Sequence, residues 1–337
     1  MLEPNLPRKY LCYRARKPIL IDGRLDDEAW QAAPWTDYFV DIEGDRRPRP
    51  RFRTRAKMLW DDSYFYIGAE LEEPHVWATL TQHDSVIFHD NDFEVFIDPD
   101  GDNHEYYELE INALNTTWDL RLVKPYRDGG PALNEWEIPG MRTAVHVDGA
   151  INDPNQQDAG WSVEIALPWA SLKQYAGRTC PPREGDQWRV NFSRVEWQHT
   201  IDGGAYRKVP NTREDNWVWS PQGVIDMHRP EEWGFVQFTR AAPGRGRFDA
   251  DPTWNARRLL MAVYHAQREF HGRFKHWARS VDELPLPTWI PAPEAQSIEL
   301  KLTTEGWTAS TQVALPDGES RSVSVRQDSR LTPLGRR

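Results

Sequence analysis

The side chains with the clearest chemical potential lie between Asp90 and Asp119, in the stretch DNDFEVFIDPDGDNHEYYELEINALNTTWD. Carboxylates alternate with apolar residues on both sides of a short acidic turn, with Asp92 and Glu94 before it and Glu108 and Glu110 after it. Alternation with a period of two is typical of a half-buried β-strand. If the two segments pair as a hairpin, one face is apolar and the other collects the four carboxylates.

Carboxylates in this arrangement suit two kinds of chemistry. A pair across the hairpin could supply the acid and base of a glycosidase, which stand about 5–5.5 Å apart for retention or about 6.5–9.5 Å apart for inversion. The same groups also accept hydrogen bonds from sugar hydroxyls in non-catalytic sites, and many strand faces carry charge without any such role. The candidates for catalysis are Glu94, Glu108 and Glu110, with Arg194 available to stabilise developing negative charge.

The acidic turn places Asp98, Asp100 and Asp102 at alternate positions, which invites comparison with an EF-hand. That comparison fails, because loop positions six and twelve, which require glycine and glutamate, hold Asn103 and Leu109. Two alternatives stay open: a looser oxygen site for a structural Ca²⁺, with the three aspartates as ligands, and a turn held by its own Asx-type hydrogen bonds.

A second group of polar and aromatic residues lies in the later half of the chain. Arg194 and Trp197 close the strand-like segment VNFSRVEWQ, and Trp217 and Trp219 follow in a segment rich in Asn, Trp and Pro. A pyranose stacks its C–H face on an aromatic ring while planar polar groups bind its hydroxyls. Because the chain contains 17 Trp, we expect these four residues to contribute to a sugar-binding surface.

Several other functions are disfavoured by the sequence. The formal net charge of −11 argues against a nucleic-acid partner, and no apolar run is long enough for a membrane span. The histidines show no zinc-ligand spacing, and no GxSxG, P-loop or GxGxxG context occurs. Cys12 and Cys180 could pair, but two cysteines decide little about compartment.

The elements that must position these residues are mostly short strands. Eight or more strands with regular turn signals predict an antiparallel β-sandwich over residues 1–240, with a long loop at roughly 200–232. A Gly/Pro/Arg-rich linker follows at 241–253. Residues 254–337 then show helical spacing and two or three strand patterns, which predicts a small helix-plus-hairpin domain.

Several motifs together resemble the family 9 carbohydrate-binding modules over residues of about 15–240. They are PILIDGRLDDEAW, WDDSYFYIGAELEEP, GWSVEIALPWASL, WRVNFSRVEW and the acidic stretch described above. The resemblance implies a β-sandwich, sugar ligands and often structural Ca²⁺. In such modules two Trp rings sandwich the sugar while a Glu, with Asn and Gln, binds its hydroxyls.

The resemblance also assigns roles to individual positions. Glu94 falls at the ligand-binding Glu, Asn112 falls where a ligand-binding Asn is expected, and Phe88 stands near the first Trp. Trp217 or Trp219 would supply the second ring. Residues 254–337 lie outside the resemblance, apart from a loose likeness of their helix to a pilin helix.

We therefore expect a carbohydrate-binding protein of a polysaccharide-utilising system, with an oligo- or polysaccharide as ligand. A glycoside hydrolase or polysaccharide lyase acting on the same face is the alternative, and docking of a protein partner by the C-terminal domain is a third hypothesis. A secreted or periplasmic location is expected, although the first residues resemble no signal peptide and a cytoplasmic location is the alternative.

Overall fold

The alternating segments form β-strands in the computed structural model, which describes residues 6–335. In chain order the strands are β1 (Lys9–Arg14), β2 (Val40–Asp41), β3 (Thr54–Trp60), β4 (Tyr64–Glu72), β5 (Asp92–Asp98), β6 (Tyr106–Asn112), β7 (Thr117–Leu122), β8 (Ala132–Leu133), β9 (Arg142–Asp148), β10 (Gly160–Pro168), β11 (Gln187–Glu196), β12 (His199–Asp202), β13 (Ala205–Lys208), β14 (Asp215–Val218), β15 (Gly234–Thr239), β16 (Glu299–Leu302), β17 (Trp307–Ala314) and β18 (Ser320–Arg326). The helices are α1 (Glu28–Gln31), α2 (Trp169–Leu172), α3 (Trp254–Phe274) and α4 (Ala292–Gln296).

One large curled sheet dominates the molecule. Its strands follow the order β8-β7-β6-β5-β11-β15-β1-β3-β4-β10-β9, and β14 and β2 attach beside β11. Pairs along this path are antiparallel except those of β1, which runs parallel to both β15 and β3. The fold is therefore mainly β, as predicted, and β1 hydrogen-bonds the two layers of the sandwich into a continuous sheet.

The main core lies between the two halves of this sheet. The predicted apolar face of the hairpin is confirmed, since Phe93 and Val95 of β5 and Leu109 of β6 belong to this core. Met58 and Ile67, from β3 and β4, belong to the same buried cluster. Much of the Trp excess also fills core space, because several Trp side chains are fully buried: Trp30, Trp60, Trp188, Trp219, Trp233 and Trp307.

The segment predicted as a long loop at roughly 200–232 is partly ordered as strands, so that prediction was wrong in part. β12 and β13 form a hairpin, and β14 pairs antiparallel with β11. The short strands escape sequence inspection because β14 has only four residues and gains its backbone partners from a strand about twenty residues earlier.

The C-terminal segment contains the secondary structure that was predicted, one long helix and a small antiparallel sheet. β16, β17 and β18 pair in that order, and α3 packs its buried face, including Leu260 and Val263, against Trp307 and Val325. Among residues 6–335, no helix is long and apolar enough to cross a membrane. The proposed domain boundaries stay a prediction. Cys12 and Cys180 are both buried and free, so they do not pair.

Candidate functional site

The outer face of the β5–β6 hairpin gathers the four carboxylates predicted from the sequence. We call the side chains of Asp92, Glu94, Glu108 and Glu110 the carboxylate face. Glu94 lies directly opposite Glu110 in the strand register, and ligand atoms of Asp92, Glu94 and Glu110 lie within 4.8 Å of one another. All four residues are buried, and Glu94 keeps 5% of its surface exposed. The alternation that fills the core with Phe93 therefore also concentrates negative charge on the opposite face.

Burial and mutual repulsion keep protons on this face. Burial is the largest cause of the raised pKa of each group, and neighbouring carboxylates raise the pKa of Asp92, Glu108 and Glu110 further. Burial raises the pKa of Glu94 to about 7, with the negative charge of Glu214 adding to the effect. The face therefore changes its charge near neutral pH.

Part of the hydrogen-bonding capacity of the carboxylate face has no protein partner. Glu110 accepts a hydrogen bond from the Phe88 backbone N–H at 2.9 Å, and Asp92 Oδ1 accepts one from the Val195 N–H at 3.1 Å. Asp92 Oδ2 and Glu108 Oε2 are buried without a hydrogen-bond partner among the described residues, whereas the neighbouring Ser193 hydroxyl is close enough to Glu94 for a hydrogen bond that lowers the pKa of this carboxyl. Buried polar atoms of this kind are usually satisfied by a ligand or by water.

Aromatic rings surround these carboxylates. Phe88, Trp118 and Trp197 are partly buried, and Trp118 stands opposite Glu110 in the register of β6 and β7. The Trp197 Nε1–H donates to the Phe88 carbonyl oxygen at 2.8 Å, which holds these two predicted ligand contacts side by side. Tyr126 is 51% exposed, and burial, followed by the charges of Glu108 and Glu110, raises its pKa to about 12.

Arg194 does not reach the carboxylate face, so its predicted roles in ligand binding and charge stabilisation are corrected. Ser193 pairs with Glu94 across β11 and β5 and shares its face, and the next residue along a strand points to the other side. On that inner side the buried Arg194 guanidinium contacts Glu73 at 2.7 Å and Glu196 at 2.8 Å. Arg194 therefore belongs to a buried ion network.

Trp217 and Trp219 also face the interior. They are 3% and 1% exposed and belong to the main core, so neither ring is available to stack on a sugar. Trp217 is the register partner of Arg194, and the pairing of β14 with β11 turns its ring inward. Their predicted role as binding platforms is corrected for this reason.

Asn112 lies on the outer face, but all hydrogen-bonding groups of its side-chain amide are occupied by protein partners. Its Nδ2 group donates to the Leu80 carbonyl oxygen and to Asp90, and its Oδ1 accepts from the N–H groups of Leu114 and Thr116. An amide has two donors and two acceptor positions, so all four are filled. Asn112 therefore positions the loop that precedes β5 and has no group left for a ligand.

The acidic turn is held largely by its own backbone. Asp98 accepts hydrogen bonds from the N–H groups of Gly101 and Asn103 at 2.8 and 2.9 Å, and Asp102 accepts one from Arg330 Nε at 2.8 Å. Ligand atoms of Asp98, Asp100 and Asp102 still lie within 4.8 Å of one another. Ca²⁺ takes six to eight oxygen ligands, whereas here a guanidinium group already faces the cluster. The contacts favour the self-bonded turn, and Ca²⁺ binding at these aspartates stays a prediction.

Two rings beside the carboxylate face, Trp118 and Tyr126, were not predicted as contacts, and Ser193 was grouped only with Arg194 and Trp197 in the segment VNFSRVEWQ. Trp118 continues the alternation of the hairpin into β7, and this signal could have placed it beside Glu110. Ser193 required the register of β11 against β5, and Tyr126 lies in a loop without periodicity. These two side chains reach the site through tertiary contacts alone.

The titration of Glu94 predicts that the protein is less stable at pH 8 than at pH 5. Its pKa of about 7 lies above the ordinary value of 4.5, so folding binds a proton; the stabilisation is full below pH 4.5 and is lost as the pH rises through about 7. One carboxyl contributes at most about 1.4 kcal/mol per pH unit. Urea unfolding at several pH values from 5 to 8 measures how steeply the free energy of unfolding falls with pH. Glu94→Gln should flatten this dependence, and an unchanged slope in this variant would contradict the assignment.

Comparison with known proteins gives a family match that covers half of the chain. Residues 21–191 match the family model for the carbohydrate family 9 binding domain-like group. Exoglucanase XynX of Acetivibrio thermocellus is 24% identical over 156 residues, which is 45% of this chain and 12% of that protein. Endo-1,4-beta-xylanase A of Thermoanaerobacterium saccharolyticum is 25% identical over 153 residues, 45% of this chain and 11% of the relative.

A solved structure shares the fold at low sequence identity. A putative carbohydrate-binding protein from Bacteroides uniformis has a TM-score of 0.51 and 14% identity, covering 68% of this chain and 99% of its own. A family 9 carbohydrate binding module from Caldicellulosiruptor kristjanssonii, solved in complex with cellotriose, has a TM-score of 0.46 and 13% identity, covering 72% and 100%. At 14% identity, the likeness to the Bacteroides uniformis protein shows the fold alone.

Proposed function

Since the chain belongs to the carbohydrate family 9 binding domain-like family, we propose that it binds carbohydrate through the carboxylate face and the rings beside it. The observation that carries the proposal is the pair of buried, unpartnered oxygens of Asp92 and Glu108 next to partly exposed rings. Sugar hydroxyls can donate to such oxygens while the C–H face of the ring stacks on an aromatic side chain.

Glu94 and Tyr126 are the proposed principal contacts. Glu94 lies between Asp92 and Phe96 on its face of β5 and faces Glu110 across the hairpin, and 5% of its surface is exposed, as is 5% of Glu108. When ionised, a carboxylate accepts hydrogen bonds at both oxygens, which suits adjacent hydroxyl groups. Tyr126 offers an exposed ring whose hydroxyl can remain in water.

The wider role that we propose is in a polysaccharide-utilising system outside the cytoplasm. It is supported by the names of the two enzyme relatives, although the matched stretch covers only 12% and 11% of them. The alternative, a hydrolase or lyase, required Arg194 to stabilise developing negative charge. Arg194 lies on the opposite side of β11 from Glu94 and is not placed for that role. The protein partner for the C-terminal segment remains a hypothesis.

Isothermal titration calorimetry of the full chain against cello-, xylo- and acidic oligosaccharides tests the proposal. We expect saturable binding of at least one oligosaccharide without release of shorter products, which chromatography of the same mixtures would detect. Absence of heat across the whole panel would contradict carbohydrate binding, and products that require Glu94 would favour the enzymatic alternative.

A pair of exposed tyrosines provides a matched test of the stacking surface. Tyr126→Ala should weaken binding by about 3- to 10-fold, because an aromatic contact contributes roughly 0.5–1.5 kcal/mol beyond its buried area. Tyr38 is similarly exposed, at 46%, and lies beside Arg55 of β3 and Arg53, which precedes that strand, so Tyr38→Ala should leave the affinity unchanged. Equal losses in both variants would show that Tyr126 is not a specific contact.

A further inference from the structure

Four ionisable side chains from three segments converge at the start of β7. His83 and Asp84 precede the carboxylate-bearing hairpin, Asp119 lies on β7, and Glu137 lies in the loop before β9. From His83 Nε2 the distances are 3.3 Å to Asp84 Oδ1, 3.8 Å to Asp119 Oδ1 and 3.1 Å to Glu137 Oε2. Ligand atoms of His83, Asp84 and Asp119 all lie within 4.8 Å of one another, and Glu137 contacts the same imidazole nitrogen.

The imidazole of His83 is held in the orientation that a metal ligand needs. Its Nδ1 lies 2.9 Å from the carbonyl oxygen of Thr117, and because a carbonyl oxygen can only accept, Nδ1 carries the proton. In the neutral ring the lone pair is then on Nε2, the atom that faces the three carboxylates. Nε2 also lies 3.2 and 3.1 Å from the two Glu137 oxygens, which only accept, so a bound ion would displace a proton from Nε2. Metal-binding histidines usually donate their other ring N–H to a backbone carbonyl or a carboxylate in this way.

Asp119 supplies an independent indication of a ligand. The residue is 1% exposed, and its Oδ2 accepts a hydrogen bond from the Ile138 N–H at 2.5 Å. Its Oδ1, which points toward His83 Nε2, is buried without a hydrogen-bond partner among the described residues. A buried carboxylate oxygen without a partner is costly, and a bound cation would offset that cost.

The spacing of these ligand atoms suits a small ion held by three protein ligands. Zn²⁺ binds imidazole nitrogen and carboxylate oxygen at about 2.0–2.2 Å, which separates tetrahedral ligands from one another by about 3.3–3.6 Å. The three separations measured from His83 Nε2 run from 3.1 to 3.8 Å. Ca²⁺ prefers six to eight oxygens, and a nitrogen ligand favours a transition-metal ion.

We propose that His83, Asp84 and Asp119, with Glu137 beside them, form a binding site for a divalent transition-metal ion of the Zn²⁺ type. The site is distinct from the carboxylate face. Asp119 pairs with Leu109, a core-facing residue of β6, whereas Trp118 pairs with Glu110 on the outer side. A bound ion would join the segment before β5, the first residues of β7 and the loop before β9, whether or not the protein binds carbohydrate.

Zinc titration of the chelator-treated, dialysed full chain tests the site. We expect one equivalent of ZnCl₂ to bind, with a rise in melting temperature that equal concentrations of CaCl₂ and MgCl₂ do not reproduce. Co²⁺ should bind with the intense visible absorption of a tetrahedral site. His83→Ala and Glu137→Gln should each lower zinc affinity about tenfold or more, since even loss of an outer-shell partner costs that much.

Matched variants distinguish a metal site from a metal-free ion pair of His83 with its acidic neighbours. His89 is an exposed histidine of the same segment and lies outside the cluster, so His89→Ala should keep full zinc affinity. Glu137 is a surface residue with 51% of its side chain exposed, so Glu137→Gln should fold normally even if an Asp119 variant does not. Substoichiometric binding, or equal losses in the His89 and His83 variants, would overturn the proposal and leave only the ion pair.

Discussion

Glu94→Gln is expected to weaken oligosaccharide binding by about 10- to 100-fold at pH 8. The substitution keeps the shape of the side chain but replaces an ionised acceptor by a neutral amide, and hydrogen bonds to charged groups contribute roughly 1.5–3 kcal/mol. Glu94 is the member of the carboxylate face with a pKa of about 7, so it is largely ionised at this pH. Calorimetry with the best ligand of the panel provides the affinity.

The same variant should fold at least as well as the natural chain. Glutamine removes one negative charge from a buried cluster whose members raise one another's pKa, so repulsion within the carboxylate face decreases. Glu299→Gln is the matched control, because Glu299 is an exposed strand residue in the C-terminal sheet. If both variants bind equally well, Glu94 is not a ligand contact.

Arg194→Met is expected to lower the free energy of unfolding by about 3–5 kcal/mol. Removing one partner of a buried ion pair leaves the other charge without compensation, and measured costs fall in this range. Here two carboxylates, Glu73 and Glu196, would lose their shared guanidinium, and Thr54 would lose a hydrogen bond at 3.1 Å. Urea unfolding followed by Trp fluorescence measures the change.

An exposed arginine provides the control for this prediction. Arg53 pairs with Glu72 at 2.8 Å and keeps 69% of its side chain exposed, so Arg53→Met should cost less than about 1 kcal/mol. Carbohydrate affinity of the folded Arg194→Met protein should be unchanged, because Arg194 lies behind the sheet from the carboxylate face. A variant with normal stability and lost affinity would restore the ligand-binding role predicted from the sequence.

The destabilisation expected for Arg194→Met and the stability gained by protonating Glu94 have a common origin. In both places the strands bury several carboxylates, but only the inner cluster contains a guanidinium that compensates them. Burial raises the pKa of Glu196 in the inner cluster as well, but the carboxylate face has no guanidinium partner among the described residues, and only raised pKa values reduce its charge. This difference agrees with a structural role for the inner cluster and with the ligand-binding role proposed for the carboxylate face.

The sequence alone was sufficient for the local elements of this protein. The alternation around Glu94 and Glu108 predicted the hairpin and the face that each residue occupies, because side chains in a strand alternate with a period of two. The helical spacing after Trp254 likewise predicted α3, and the strand patterns that follow predicted the small sheet. These features depend on residues close together in the chain and on the burial of one side.

Only the tertiary structure decided which distant residues meet at the site. Arg194 and Glu73 are 121 positions apart, and their contact depends on how β11 lies against the start of the loop after β4. Trp217 and Trp219 turned out to fill the core, while Trp118 and Tyr126 took the places beside the carboxylates. The physical reason is strand register: a shift of one residue exchanges the two faces of a strand, and pairing across long sequence separations sets that register.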